Sequence, residues 1–171
     1  MLERALDEPP PRLERSIATE VGLVEDAPLY RTLRPDTSED AFRARVATGA
    51  LCFGAHVSGR LTSVTWARAG GGRISYLDRN LVLSPGDVYL FDTFTRADQR
   101  GARLAPAAAA AQIEHFRGAG KERITALVLP ENRASLRARA RTGFRVSGVI
   151  GWIGLGDRRW HFQRPSRRTI P

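Results

Sequence analysis

Three stretches of the chain carry polar and charged groups at intervals that suggest a reaction or a bound anion. The first is "QRGARLA", residues 99–105, which follows an apolar run and opens an alanine-rich one. A loop that enters a helix N-terminus aims unpaired backbone N–H groups at one spot, with the positive end of the helix dipole behind them, and that spot binds phosphate. Gly101 lets the backbone approach an anion closely, and Arg100 adds a charge-assisted donor. One glycine of this kind also fits an ordinary strand-to-helix turn.

The second stretch is "ENRASLRARARTGF", residues 131–144. Asn132 suits a helix N-cap and Gly143 a helix stop, and between them positions 132, 135 or 136, and 139 share one helix face. The third is "GDVYLFDTFT", residues 86–95, with two carboxylates. Strand alternation puts Asp87, Tyr89, Phe91, Thr93 and Thr95 on one side and Leu90, Asp92 and Phe94 on the other, unless a bulge shifts the phase. Asp92 lies in the apolar middle, where a carboxylate is unfavourable unless paired or functional. Asp87 follows Pro85-Gly86 and reads as a turn residue.

The secondary structure around these groups is readable from pattern. Residues 1–15, charged and broken by three prolines, read as an extended arm, and "RSIATEVGLV" as a first strand. "PDTSEDAFRARVATG" predicts a helix capped by Thr37 or Ser38, with Phe42 and Val46 four apart and Gly49 near its end. "ALCFGAHV" and "LTSVTWARA" form a hairpin about a glycine turn, and "GGGRISYLDRNLVLSPGD" is a less regular strand and turn. "VYLFDTFT" is an apolar strand, "LAPAAAAAQIEHFRGAG" a helix with Pro106 in its first turn, and "ERITALVLP" a strand covered on both faces. "FRVSGVIGWIGLG" and "RRWHFQ" close the chain as a hairpin about Gly156-Asp157.

A chain of 171 residues, 42% hydrophobic, sets one domain over 1–171 as the expectation. The single cysteine, Cys52, makes no internal disulfide, and no Cys/His cluster has zinc spacing. Without a signal-like or bilayer-spanning run, the expected compartment is cytoplasmic, with no membrane partner. The net charge of +9 is one-sided: residues 1–99 carry net −2 and residues 100–171 net +11. Such an excess marks an anionic partner, whether nucleic acid, membrane surface or a polyphosphorylated cofactor, or an arginine-biased surface.

Taken together, the loop and the second stretch make the chain resemble the GCN5-related N-acetyltransferases. The family's pyrophosphate loop runs R-G-x-G-x-G/A, and here Arg100, Gly101, Ala102, Arg103, Leu104 and Ala105 stand in it, with arginine for the second glycine. Its second signature runs N-x-x-A-x-x-x-Y-x-x-x-G-F; Asn132, Gly143 and Phe144 fall at that separation, after Val128-Leu129-Pro130, with Ser135 for the alanine and Arg139 for the tyrosine. The resemblance covers residues 50–150 well and both ends poorly.

It implies an α/β (α+β) fold whose mixed central sheet splays open between "VYLFDTFT" and "ERITALVLP", with helices on both faces and acetyl-CoA in the gap. The pyrophosphate then sits on residues 100–105, the pantetheine follows the strand edge at Phe94 and Thr95, and Asn132 and Ser135 border the cofactor. Arg103 is either a further phosphate ligand or solvated surface. Arg139 replaces the usual acid that protonates the departing thiolate. Arginine does not release a proton at neutral pH, so it either stabilises the thiolate electrostatically or reaches the 3′-phosphate. The implied general base is Asp92, with a pair to a buried arginine as the alternative.

The expected activity is acyl transfer, most simply acetyl, to the amine of a small molecule or peptide, with no metal. A nucleic-acid-binding domain and a catalytically silent CoA-binding module are the alternatives. Against nucleic acid, the arginines cluster around the two phosphate-binding motifs and no DNA- or RNA-binding signature is present. Trp66, Tyr76 and Trp152 are candidates for an acceptor pocket, Cys52 and His56 for packing, His115 for the surface, and the C-terminal hairpin with His161 for a homodimer contact.

Overall fold

The computed structural model describes residues 1–10, 19–100, 104–155 and 158–166. Two strands, β1 (Leu2–Ala5) and β2 (Thr19–Leu23), precede two short helices. Asp26 caps α1 (Ala27–Leu33) by accepting from the Leu29 N–H, and Pro28 stands in the first turn, where its missing N–H goes unneeded. Ser38 caps α2 (Glu39–Ala47) by accepting from the Ala41 N–H, with Glu39 and Asp40 at the positive end of the helix. Phe42 is buried as expected, but Val46 turns outward and is 44% exposed.

The expected hairpin forms from β3 (Leu51–Val57) and β4 (Arg60–Ala69). Ser58 and Gly59 both hold positive φ, the turn geometry that matches strand twist. A separate ribbon pairs β5 (Gly71–Ile74) with β6 (Arg79–Val82). Then come β7 (Asp87–Thr95), α3 (Leu104–Gly118), β8 (Arg123–Ala126), α4 (Arg133–Arg141) and β9 (Arg145–Val146). The closing hairpin, β10 (Gly148–Leu155) with β11 (Arg158–Pro165), stands apart from the main sheet and leaves Trp152, Ile153, Leu155 and Trp160 exposed. Its turn, Gly156-Asp157, lies outside the described residues.

Seven strands make the central sheet in the order β2-β3-β4-β7-β8-β1-β9. Every neighbouring pair is antiparallel except β7 and β8, which run parallel. One apolar layer, with Val88, Leu90, Ile113, Phe116 and Ile124, lies between the sheet and α3. On the opposite face Tyr30, Phe42 and Trp66 pack ring to ring, and the Trp66 Nε1–H donates to the Tyr30 hydroxyl at 3.2 Å. The sheet is therefore mixed and covered by helices on both faces. Among the described residues no helix is long and apolar enough to cross a membrane.

Two expectations need correction. Residues 2–5 are not an arm but an interior strand between β8 and β9. Leu2 and Leu6 enter the α3-side core, while Arg4, buried beside them, donates to the carbonyl of Pro9 at 2.8 Å. The charged residues of "MLERAL" mask that apolar spacing. The strand read over 122–130 is paired only over Arg123–Ala126, and beyond it the chain leaves the sheet.

Candidate functional site

The parallel pairing of β7 with β8 runs from Asp87↔Arg123 to Leu90↔Ala126 and stops. β7 continues for five residues to Thr95, so its edge toward β8 carries no ladder partner there among the described residues. Backbone N–H and C=O groups on that edge are open to an extended ligand.

Along this free stretch β7 bulges. Trp66 pairs with Phe91 and Val64 with Phe94, so Asp92 and Thr93 together oppose Thr65. Asp92 takes the left-handed conformation at φ 45°, which a non-glycine residue adopts only when its surroundings hold it. The extra residue reverses the facing of the strand from that point on. Without it Asp92 would share the α3 side with Val88 and Leu90; instead its carboxylate turns to the α1–α2 side, and Thr93 and Thr95 turn into the opening beneath α3 and α4. Ser63 fastens the segment by donating to the Phe94 carbonyl at 2.9 Å, and its hydroxyl lies 2.8 Å from that of Thr95.

That opening is a cleft of about 550 Å³ between β7, the first turns of α3 and one face of α4. It gathers Thr95, Arg100, Leu104, Ala105, Asn132, Ser135 and Arg139, all expected from sequence. Arg100, Arg137, Arg139 and Arg141 make its lining cationic, and no carboxylate among the described residues lines it. The Asn132 side chain accepts from the Ser135 N–H at 3.1 Å, capping α4 as expected and fixing the face that carries Arg139. Arg139 spans the gap: its Nη2 lies 3.4 Å from Thr93 Oγ1, and its guanidinium lies over the Phe144 ring. Desolvation pulls its pKa down to about 10, and it remains a cation at neutral pH.

Gln112 was missed from sequence. It is 1% exposed, lines the cleft, and its Nε2 has no hydrogen-bond partner among the described residues. An unmet buried donor costs about 1–3 kcal/mol, which a ligand carbonyl here would recover. Its signal was one amide-bearing residue interrupting the apolar face of an alanine helix. Size, cationic lining, an open strand edge and an orphaned donor together fit a long ligand with phosphates at one end and amides along its length, as CoA is. Among the described residues, no three metal-ligating side chains gather.

Other expected residues fall differently. Gly101, Ala102 and Arg103 lie outside the described residues. The Phe94 side chain packs on the Trp66 side, with the Arg34 guanidinium 5.0 Å from its ring centroid, while its backbone lies on the free stretch of β7. Asp92 is not placed as a general base. Arg34 Nη1 donates to Oδ1 at 2.9 Å and Arg45 Nη1 to Oδ2. Burial pushes its pKa up, but the hydrogen bonds and charges of the two arginines outweigh this and hold it below the ordinary carboxylate value. Asp87 is no turn residue either; it is 3% exposed and paired through both oxygens to Arg123, at 3.1 and 3.0 Å. Burial pushes the Cys52 thiol up to about 12, which suits packing. Trp66 is core, Trp152 lies on the exposed hairpin, and His115 is on the surface.

A second cavity of about 640 Å³ lies on the α2 side of β7. Arg45, Arg68, Arg73, Tyr76, Tyr89, Phe91 and Asp92 contribute to it, so Tyr76 is the one residue of the three proposed for an acceptor pocket that lines it. Residue by residue, β7 separates the two spaces: Phe91 and Asp92 face one, Thr93 and Thr95 the other.

No protein-family model matches the chain, and no curated protein matches its sequence. Solved structures do match. An aminoglycoside N-acetyltransferase in complex with CoA is 20% identical, over 74% of this chain and 91% of that one, with a TM-score of 0.57. The ribosomal-protein alanine N-acetyltransferase from Escherichia coli is 16% identical over 77% and 80%, with a TM-score of 0.59. An N-acetyltransferase from Staphylococcus aureus is 12% identical over 77% and 87%, also at 0.59. The fold of this chain is that of the GCN5-related N-acetyltransferases.

Proposed function

We propose that the protein is an acyl-CoA-dependent N-acyltransferase that moves an acetyl group to an amine. The observation that carries this reading is the cleft opened where β7 outruns β8, with Arg139 reaching across it to Thr93. Acetyl-CoA would lie along the free edge of β7, its phosphates toward Arg100 and the start of α3, and its pantetheine amides within reach of Gln112. In the reaction the amine nitrogen attacks the thioester carbonyl carbon, the C–N bond forms, the C–S bond breaks, and CoA leaves as the thiolate. Backbone N–H groups of the unpaired β7 segment polarise the carbonyl, and the Arg139 cation lowers the energy of the leaving thiolate. With Asp92 neutralised by its arginines, the proton lost from nitrogen passes to solvent.

CoA binding in neighbours of the same fold supports the cofactor, though not the acceptor. Isothermal calorimetry with acetyl-CoA, followed by thiol release with a panel of amines, tests the reading. Micromolar binding and amine-dependent thiol release are expected. Absence of CoA binding, with salt-dependent binding to a short duplex in its place, would return the basic half of the chain to nucleic acid.

A further inference from the structure

We infer that the cavity between α2 and the β5–β6 ribbon receives the acceptor, and that it selects an amine carrying a carboxylate, which Arg68 holds; this rests on the transferase reading above. The cavity and the cleft lie on opposite faces of β7 at its bulged segment, where β8 no longer pairs with it, so an amine passing from the cavity around that open edge at Asp92 arrives beside Thr93. Its deep wall is flat and apolar: Tyr89 and Phe91 stack with centroids 5.5 Å apart, and Ile74 and Ala50 continue it.

The charges lining this space are unequal. Arg45 is committed to Asp92, and Arg73 is paired with Asp78 at the rim. Arg68 is different. Its Nε donates to the Gly71 carbonyl at 2.8 Å, which fixes the plane of the guanidinium, and no carboxylate among the described residues lies within 4 Å of it. Gly72 leaves the fork room: a Cβ there would stand 2.9 Å from Nη2. A guanidinium fixed through Nε, lining a cavity and without a carboxylate partner among the described residues, is suited to meet a planar anion. One unpaired cation matches a carboxylate, whereas a phosphate dianion leaves a charge uncompensated.

Spacing narrows the class. Arg68 and Asp92 are attached to the sheet at separate points, Arg68 opposite Tyr89 and Asp92 three residues further along β7, about 10 Å of strand between the two backbone positions. An acceptor whose acid and amine are held apart by a flat body engages both ends of the cavity and stacks on Tyr89 and Phe91. A polyamine brings like charge toward Arg45 and Arg68.

The probes are 4-(aminomethyl)benzoate, its primary amide, its phosphonate analogue and spermidine, each tested for direct binding by calorimetry and for acetyl transfer. Binding at least tenfold tighter for the carboxylate than for the amide is expected, with the difference abolished in Arg68→Gln and partly kept in Arg68→Lys. Circular dichroism of both variants establishes that they fold. Equal binding of acid and amide, preference for the phosphonate or spermidine, or an unchanged ratio in Arg68→Gln would overturn the inference. Because binding is read without turnover, a protein that fails to bind CoA but discriminates acid from amide refutes the transferase reading and leaves the anion site standing.

Discussion

Arg34 and Asp92, 58 residues apart in the chain, meet in an ion pair of 2.9 Å on the α1–α2 side of the bulge in β7. With Arg45 on the second oxygen, the pair holds a residue in a left-handed conformation that turns two threonines into the cleft. Asp92 thus shapes the site from behind it.

Asp92→Asn should therefore lower stability and leave the acidic limb of kcat/KM in place. The folded carboxylate has a pKa below its ordinary 3.8, so the stabilisation is present above that value and fades as pH falls through the folded pKa. Wild type should be more stable than the variant by about 1–3 kcal/mol at pH 7, and the two should converge as pH falls through the lowered pKa of the folded carboxylate. Urea midpoints across pH measure this; a lost acidic limb with unchanged stability would restore the base assignment.

Gln112→Leu should separate stability from binding. Removing the orphaned amide nitrogen from this buried position should raise the apo melting temperature or leave it unchanged, while acetyl-CoA affinity falls. Thermal unfolding with and without CoA reads both, and an equal loss in the two would mean that Gln112 only packs.

Arg139→Met should leave the apo stability little changed, because the side chain is only part-buried and its loss removes the contact with Phe144 along with the charge. It should slow turnover at saturating acetyl-CoA. Arg139→Lys should recover part of the rate. An unchanged turnover in Arg139→Met would place the residue on the phosphates or at the surface.

Much of this site was legible as sequence because its parts are local. The cap at Asn132, the face shared with Ser135 and Arg139, and the strand-to-helix passage through Arg100 and Leu104 each come from the spacing of neighbours. What escaped depends on distant partners or on elements too short to show a period. β1 is recognisable only once β8 and β9 are present to pair with it, and α1, though Asp26 and Pro28 are local start signals, runs for only seven residues. The facing of Asp92 turns on one inserted residue, which alternation alone assigns to the wrong side of the sheet. Arg34 and Arg45, which neutralise Asp92, lie in and just after helices whose sequence says nothing of β7.

The opposite end of the splay gives the last prediction. Asp87 and Arg123 stand opposite each other where β7 and β8 are still paired, and Glu3 of β1 lies 3.4 Å from the same guanidinium. Asp87→Ala should cost about 2 kcal/mol, below the ~3–5 kcal/mol of a fully buried pair, because the Arg123 side chain is 44% exposed and keeps Glu3. A double-mutant cycle with Arg123→Ala should return a coupling of about 1–2 kcal/mol. Thr93 is six residues along β7, about 20 Å away, so the dissociation constant for CoA should stay within about twofold of wild type in folded Asp87→Ala. A tenfold rise would mean that the closed end of the sheet sets the width of the open one, and that β1, through Glu3, belongs to the binding apparatus as well as to the core.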